Sequence, residues 1–233
     1  MSEYLTKITD ILCRIEDEEK QVMQCAARIV ADTIINDGLI FVFGCGHSHL
    51  PGLDTFYRAG GLANVSAMLD TDLMLHNGAA KSSRMEKMSG IADEIFRRYV
   101  PTEKDMIFIF SASGKNQVPV EMAEAARLAG VKSIGVSSSA YFGCGGRLHE
   151  HVDIAIDCKV PYGDACIEVG DAKMGGLSTA TACFILNSCL IDGARIALKE
   201  GMTPPIYLSG NIEGGREHNI GLENLYLGRV KHL

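Results

Sequence analysis

Positive charge is scarce in this sequence: 22 Lys and Arg stand against 29 Asp and Glu, for a formal net charge of −7. No Lys/Arg-rich run interrupts that deficit. General binders of nucleic acid or anionic membranes need the opposite balance, so neither partner is expected. An anion would have to be held locally, in a small pocket. Cys-x-x-Cys spacing is also missing. The eight cysteines are Cys13, Cys25, Cys45, Cys144, Cys158, Cys166, Cys183 and Cys189, and their spacing fits neither a zinc ribbon nor a thioredoxin motif. Several sit in apolar stretches, where Cys acts as a small hydrophobe. The first ten residues hold no apolar core of signal-peptide length, so the expected location is the cytoplasm. Uninterrupted hydrophobic runs are lacking too. Residues 180–198 are the most apolar, yet they contain Asn187, Asp192, Gly193 and Arg195, which points to a buried core helix rather than a membrane span.

What is present is an ordinary globular mix, 47% hydrophobic and 22% charged over 233 residues. A chain of this length can bury most of its apolar surface without staples. Residues 3–36 are expected as one long helix, because Leu5, Ile8, Leu12 and Ile15, then Val22, Ala26, Ile29 and Val30, recur at helical spacing. The charge run 16–20 reads as its solvated face. Short, continuously apolar strands are expected at 39–43, 63–69, 105–110, 131–137 and 152–156, as in a parallel sheet buried on both sides. Helices are expected between them at about 48–58, 83–99 and 118–128, with a last one at 175–200. The Ser83/Glu86 spacing reads as a capping box starting the second of these. Residues 206–233 form a polar, Gly-rich tail whose Tyr207, Leu222, Leu225 and Tyr226 offer something to dock with.

Alternating strands and helices imply an α/β fold, a three-layer αβα sandwich around a five-stranded parallel sheet. The flavodoxin-like order 2-1-3-4-5 is the simplest fit, and it places a ligand crevice between strands one and three, at their carboxyl ends. Two unusual loops leave those strands. In Gly44-Cys-Gly46-His47-Ser48 the glycines permit a tight turn, and Ser48 offers a hydroxyl at a helix N-terminus, where free N–H groups attract an anion. In Ser111-Ala-Ser113-Gly114, hydroxyls precede backbone donors from Gly114 through Asn116 to Gln117, which can form a concave nest. Side by side, the loops make a phosphate cradle without clustered Arg. Two ordinary βα turns with Ser caps would have the same look singly. Competing phosphate motifs fail: His49 stands where a dinucleotide fingerprint needs Gly, and no P-loop string exists.

The pair Gly44-x-Gly46-x-Ser48 and Ser111-x-Ser113-Gly114, each leaving a strand, resembles the SIS (sugar isomerase) domain over about residues 39–200. Further segments, Gly46-His-Ser-His49, Phe56-Tyr-Arg-Ala-Gly-Gly61, Leu75-His76, Gly163-Asp-Ala165 and Asn211-Ile-Glu-Gly214, resemble an uncharacterised SIS group that carries the label phosphoheptose isomerase. The resemblance implies one SIS domain over 1–233: a helix at 1–38, the α/β core at 39–200, and a tail at 201–233 over the site or a subunit interface. It also implies a homodimer or higher oligomer and binding of a phosphorylated sugar through Ser48, Ser111 and Ser113. Two positions depart from the pattern. Asn116 replaces a Thr or Ser, and Arg58 stands near where phosphoheptose isomerases carry Glu. Residues 167–179 are also loosely similar to the run before the last helix of N-acetylmuramic acid 6-phosphate etherases.

Aldose–ketose isomerisation needs a base that moves a proton between adjacent carbons and groups that open the ring. His47 and His49 flank the loop serine, His76 follows the second strand, and Glu168 precedes the last helix; these four are the catalytic candidates. His149 and His151 flank Glu150, but no third ligand has suitable spacing, so neither metal nor cofactor is expected. Three functional classes stay open: a sugar-phosphate isomerase, another amino-sugar phosphate enzyme such as an etherase or deaminase, and a phosphosugar sensor without turnover.

Overall fold

The computed structural model describes residues 1–233. Five parallel strands, β1 (Ile40–Gly44), β2 (Val65–Ala67), β3 (Met106–Phe110), β4 (Lys132–Ser137) and β5 (Ile154–Asp157), form one sheet in the order β2-β1-β3-β4-β5. This is the expected flavodoxin-like order. Ile40 pairs with Met106 and Gly44 with Phe110, so β1 and β3 end level. Alternate residues serve opposite layers: Ile40, Val42 and Phe108 face one core, and Phe41, Phe43, Ile107 and Ile109 face the other. That two-sided burial is why the strands read as unbroken apolar runs.

The first core is covered by α1 (Glu3–Glu18), α2 (Lys20–Ile35) and α7 (Ser178–Lys199); the second by α5 (Ile91–Tyr99) and α6 (Gln117–Leu128). α3 (Leu50–Thr55) packs on α7, and α4 (Ala79–Met85) lies ahead of α5. By length and composition α7 could cross a membrane. Here its apolar face, with Ile185, Leu186, Cys189 and Leu190, is buried in the core.

Several expectations need correction. The helix at 3–36 is two helices, parted at Glu19. Part of the supposedly solvated charge run is an ion cluster: Lys159 Nζ reaches Glu19 at 2.6 Å, Glu18 at 3.0 Å and Asp157 at 3.4 Å. The helix at 83–99 is also divided, because Gly90 takes a φ of 85° between α4 and α5. Glu86 is the C-cap of α4, not part of a capping box. Before α7, a hairpin of β6 (Ala165–Val169) and β7 (Ala172–Gly176) was not anticipated. Neither was α8 (Gly215–Tyr226) in the tail. The tail docks through buried Tyr207 and Tyr226. Its end binds Asp37, ahead of β1, through Arg229 at 2.9 Å, so it covers the amino ends of the strands rather than the carboxyl ends.

Close approach of α2 and α7 rests on Gly193. A Cβ there would lie 2.4 Å from Val30 Cγ1 and 2.9 Å from the Ala27 carbonyl oxygen. Gly to Ala in a helix interior ordinarily stabilises by up to about 1 kcal/mol. Here Gly193→Ala should instead destabilise, by about 1–3 kcal/mol, through overpacking. Urea unfolding checks the sign.

Candidate functional site

β1 ends at Gly44, and the chain turns at once through Gly46–His49 into α3. The turn folds back so tightly that a Cβ on Gly44 would sit 2.1 Å from the Ser48 carbonyl oxygen. Only glycine fits there. Gly46 follows at a φ of 56°. The turn presents exposed His47 and half-buried Ser48 outward and sends His49 inward. His49 Nδ1 donates to the Gly46 carbonyl. A carbonyl only accepts, so this nitrogen carries the ring proton. Burial holds the His49 pKa below the ordinary histidine value, with the nearby His76 and His47 adding to the effect and the Gly46 bond opposing it. His49 is therefore a neutral brace of the turn. The exposed His76 ring stands edge-on to it, 6.5 Å away.

β3 ends at Phe110 and enters the second loop. Buried Ser111 accepts from the Gly114 N–H through Oγ at 3.2 Å, and Ser113 Oγ accepts from Lys115 N–H at 3.4 Å. Gly114, at a φ of 60°, turns its carbonyl to the N–H groups of Arg147 and Leu148, 2.9 and 3.1 Å away. That clamps the loop to the segment between β4 and β5. Asn116 begins α6, and its side chain makes no capping bond.

The two loops meet in one narrow crevice of about 10 Å³, lined by His47, Ser48, Ser111 and Ala112 and floored by Phe110, Val136 and Cys158. Space on this scale holds roughly one water, so a phosphate would rest at its mouth. Ser178 and Thr179 form its third wall. They open α7, and sequence reasoning missed them as site residues. Asp164 organises that end of the helix. Its Oδ1 accepts from the N–H groups of Leu177 at 2.9 Å and Ser178 at 2.8 Å, and its Oδ2 accepts from the Ser178 hydroxyl at 2.8 Å. Gly163-Asp-Ala165 is thus a clip on a helix start. No Lys or Arg lines the crevice. Lys115, on the second loop, is drawn aside over the rings of Tyr141 and Tyr162, at 5.6 and 5.8 Å. Burial pushes the Cys158 thiol up to about 12, which makes it inert at neutral pH.

The structure thus brings His47, Ser48 and Ser111 together on one crevice. Gly46 lies in the same turn as Ser48, Ser113, Gly114 and Asn116 follow Ser111 along the second loop, and His76 stands beside His49. Glu168 is not brought to the crevice. That residue lies exposed on β6, paired across the hairpin with Lys173. Its segment resembles a run-in to the last helix in sequence, but the chain turns back on itself at Gly170-Asp171. A Gly-Asp pair between two short strands is a recognised hairpin signal.

The family described as the SIS domain matches residues 3–138. A UPF0309 protein of Thermoanaerobacter pseudethanolicus is 38% identical, over 99% of this chain and 99% of its own length. Among solved structures, the phosphoheptose isomerase of Neisseria gonorrhoeae superposes with a TM-score of 0.55 at 15% identity, covering 81% of this chain and 94% of that one. The sugar isomerase domain of an RpiR transcription factor from Sphaerobacter thermophilus gives 0.50 at 14% identity, over 85% and 95%. At such identities the structural likeness speaks for the fold.

If Asp164 holds the start of α7, Asp164→Ala should remove a helix cap and cost about 0.5–2 kcal/mol of stability. Chemical denaturation measures this, and the same variant should bind inorganic phosphate more weakly than the parent in calorimetry.

Proposed function

This chain belongs to the SIS-domain family, and on that premise we propose that it binds a phosphorylated sugar and isomerises it between aldose and ketose. The observation that carries the reading is the convergence of three segments in one crevice: the Ser48 turn, the start of the second loop at Ser111-Ala112, and the opening of α7 at Ser178-Thr179. Ser48, Ser111, Ser113 and backbone N–H groups hold the phosphate. None of these donors reacts, so binding energy fixes the position of the carbon chain beyond the phosphate. His47 stands exposed at the crevice and carries the proton that opens the ring. The gonococcal phosphoheptose isomerase shares this fold, which supports the reading.

One observation favours a second reading, a phosphosugar sensor. Apart from inert Cys158, His47 is the only titratable side chain lining the crevice. A transcription factor's sugar isomerase domain also shares the fold. Mixing the purified protein with hexose, heptose and N-acetylamino-sugar phosphates separates the readings. New product means an enzyme and names the reaction; thermal stabilisation without product means a sensor. Each hydrogen bond to the charged phosphate contributes about 1.5–3 kcal/mol. Ser111→Ala combined with Ser113→Ala should therefore weaken phosphosugar binding roughly a hundred- to ten-thousandfold with the fold intact. Unchanged affinity removes the cradle.

Self-association belongs to the same reading. Leu5 on α1 and Ile191 and Leu198 on α7 stay exposed, and such apolar residues along helices often pack against a partner. Light scattering at micromolar concentration should give at least a dimer mass. A monomer mass contradicts it.

A further inference from the structure

We propose that Glu86 is the carboxylate that moves the proton on the bound sugar. This rests on the phosphosugar reading above and fills the place left empty by Glu168. Glu86 closes α4, which packs against the turn carrying His47 and Ser48. Its own carbonyl accepts from Val118 N–H, at the start of α6, at 3.1 Å. The residue is therefore pinned between the exits of β1 and β3. Its half-buried carboxylate faces the side-chain amide of Asn116 from the second loop, Lys87 from its own segment and Cys45 from the first loop. Asn116 stands where the family pattern has a hydroxyl, and this neighbour gives the exchange a reason: an amide can donate to a carboxylate and keep it in place.

Carboxylates on neighbouring segments are occupied. Asp164 clips α7. Asp157 accepts from Lys159 and Ser139 N–H groups. Glu121 accepts from Ser89, Gly90 N–H and Gln117. Asp54 pairs with Arg58, and Asp70 with Arg98. Glu86 has no cation within 4.0 Å and no backbone donor. A half-buried carboxylate costs free energy unless paired, and a purely structural role would have paired it. Burial raises its pKa above the ordinary glutamate value, against the lowering by Lys87 and Asn116. That makes it a stronger base.

The step balances within the sugar. Glu86 takes the proton from C2, the C2–H electron pair becomes the C1=C2 bond, and O1 takes a proton carried by His47. The resulting enediol then returns its O2 proton to His47 as C2=O2 forms, and C1 takes back the proton from Glu86. No oxidant or reductant enters.

The test uses the intact protein, ¹³C-labelled at glutamate carboxyls, with the Glu86 signal assigned by its loss in Glu86→Gln. Inorganic phosphate is the first probe. The Glu86 titration midpoint should rise when phosphate fills the cradle, because like charges at close range disfavour ionisation. Bound phosphate with an unmoved midpoint overturns the role of Glu86 and leaves the cradle standing. Failure of phosphate to bind overturns the cradle and this role together. The second probe is the sugar phosphate panel in D₂O. The parent should wash deuterium into C1 and C2 of its substrate. Glu86→Gln should lose about a hundred- to ten-thousandfold in that rate at unchanged Kd, and Glu86→Asp should recover part of it. A parental rate in Glu86→Gln, or no wash-in by the parent, overturns the proposal.

Discussion

The structure depends on one topological constraint. Neighbouring parallel strands β1 and β3 send the chain to opposite faces of the sheet: β1 into α3, beside α7, and β3 into α6 on the other side. Diverging chains cannot hydrogen-bond to each other, so backbone donors are left free at the point of divergence. Both strands are buried on both faces, and no polar group is tolerated along their length without a partner. Polar chemistry is therefore pushed to their carboxyl ends. Ser48, Ser111 and Ser113 are placed by that constraint before any side chain is chosen.

The third wall of the crevice depends on packing elsewhere. Thr179 reaches the crevice because α7 is held in register on α2, and Gly193 lets the two helices approach beside Val30. The Asp164 clip then fixes the rotation of the first turn of α7. The hairpin hangs just ahead of that clip, with β6 against α1. A 22-residue helix thus carries information from the core to the site.

Strand order and crevice position were legible in the sequence because they follow from unbroken apolar runs and two Gly/Ser loops. What was hidden has specific causes. The break at Glu19 lies inside a helical apolar pattern that continues on both sides, and the ion-pair partner of Glu19 there, Lys159, is distant in sequence. The hairpin strands alternate weakly because Glu168, Val169 and Met174 are all exposed. Helix α8 has a mixed surface with only Gly215 and Tyr226 fully buried. Glu86 has the right spacing from Ser83 for a helix start, but α4 already ends at Met85 with Glu86 as its C-cap, and Gly90 opens the next helix.

A cradle made of neutral donors sets the scale of recognition. Micromolar affinity corresponds to about 8 kcal/mol. Each hydrogen bond to the charged phosphate contributes about 1.5–3 kcal/mol, but association itself costs about 4–15 kcal/mol, so three hydroxyls and a few N–H groups bind phosphate alone only weakly. The one cation on the second loop, Lys115, is held over two tyrosine rings rather than at the crevice, and the net charge of −7 gives no long-range attraction. The balance must come from the sugar itself, through its contacts beyond the phosphate. Residues lining the crevice beside the serines, including His47 and Thr179, are then where binding and selectivity are decided. The serine loops act as an anchor shared by every phosphorylated ligand, and discrimination among sugars falls to side chains that the anchor merely brings within reach.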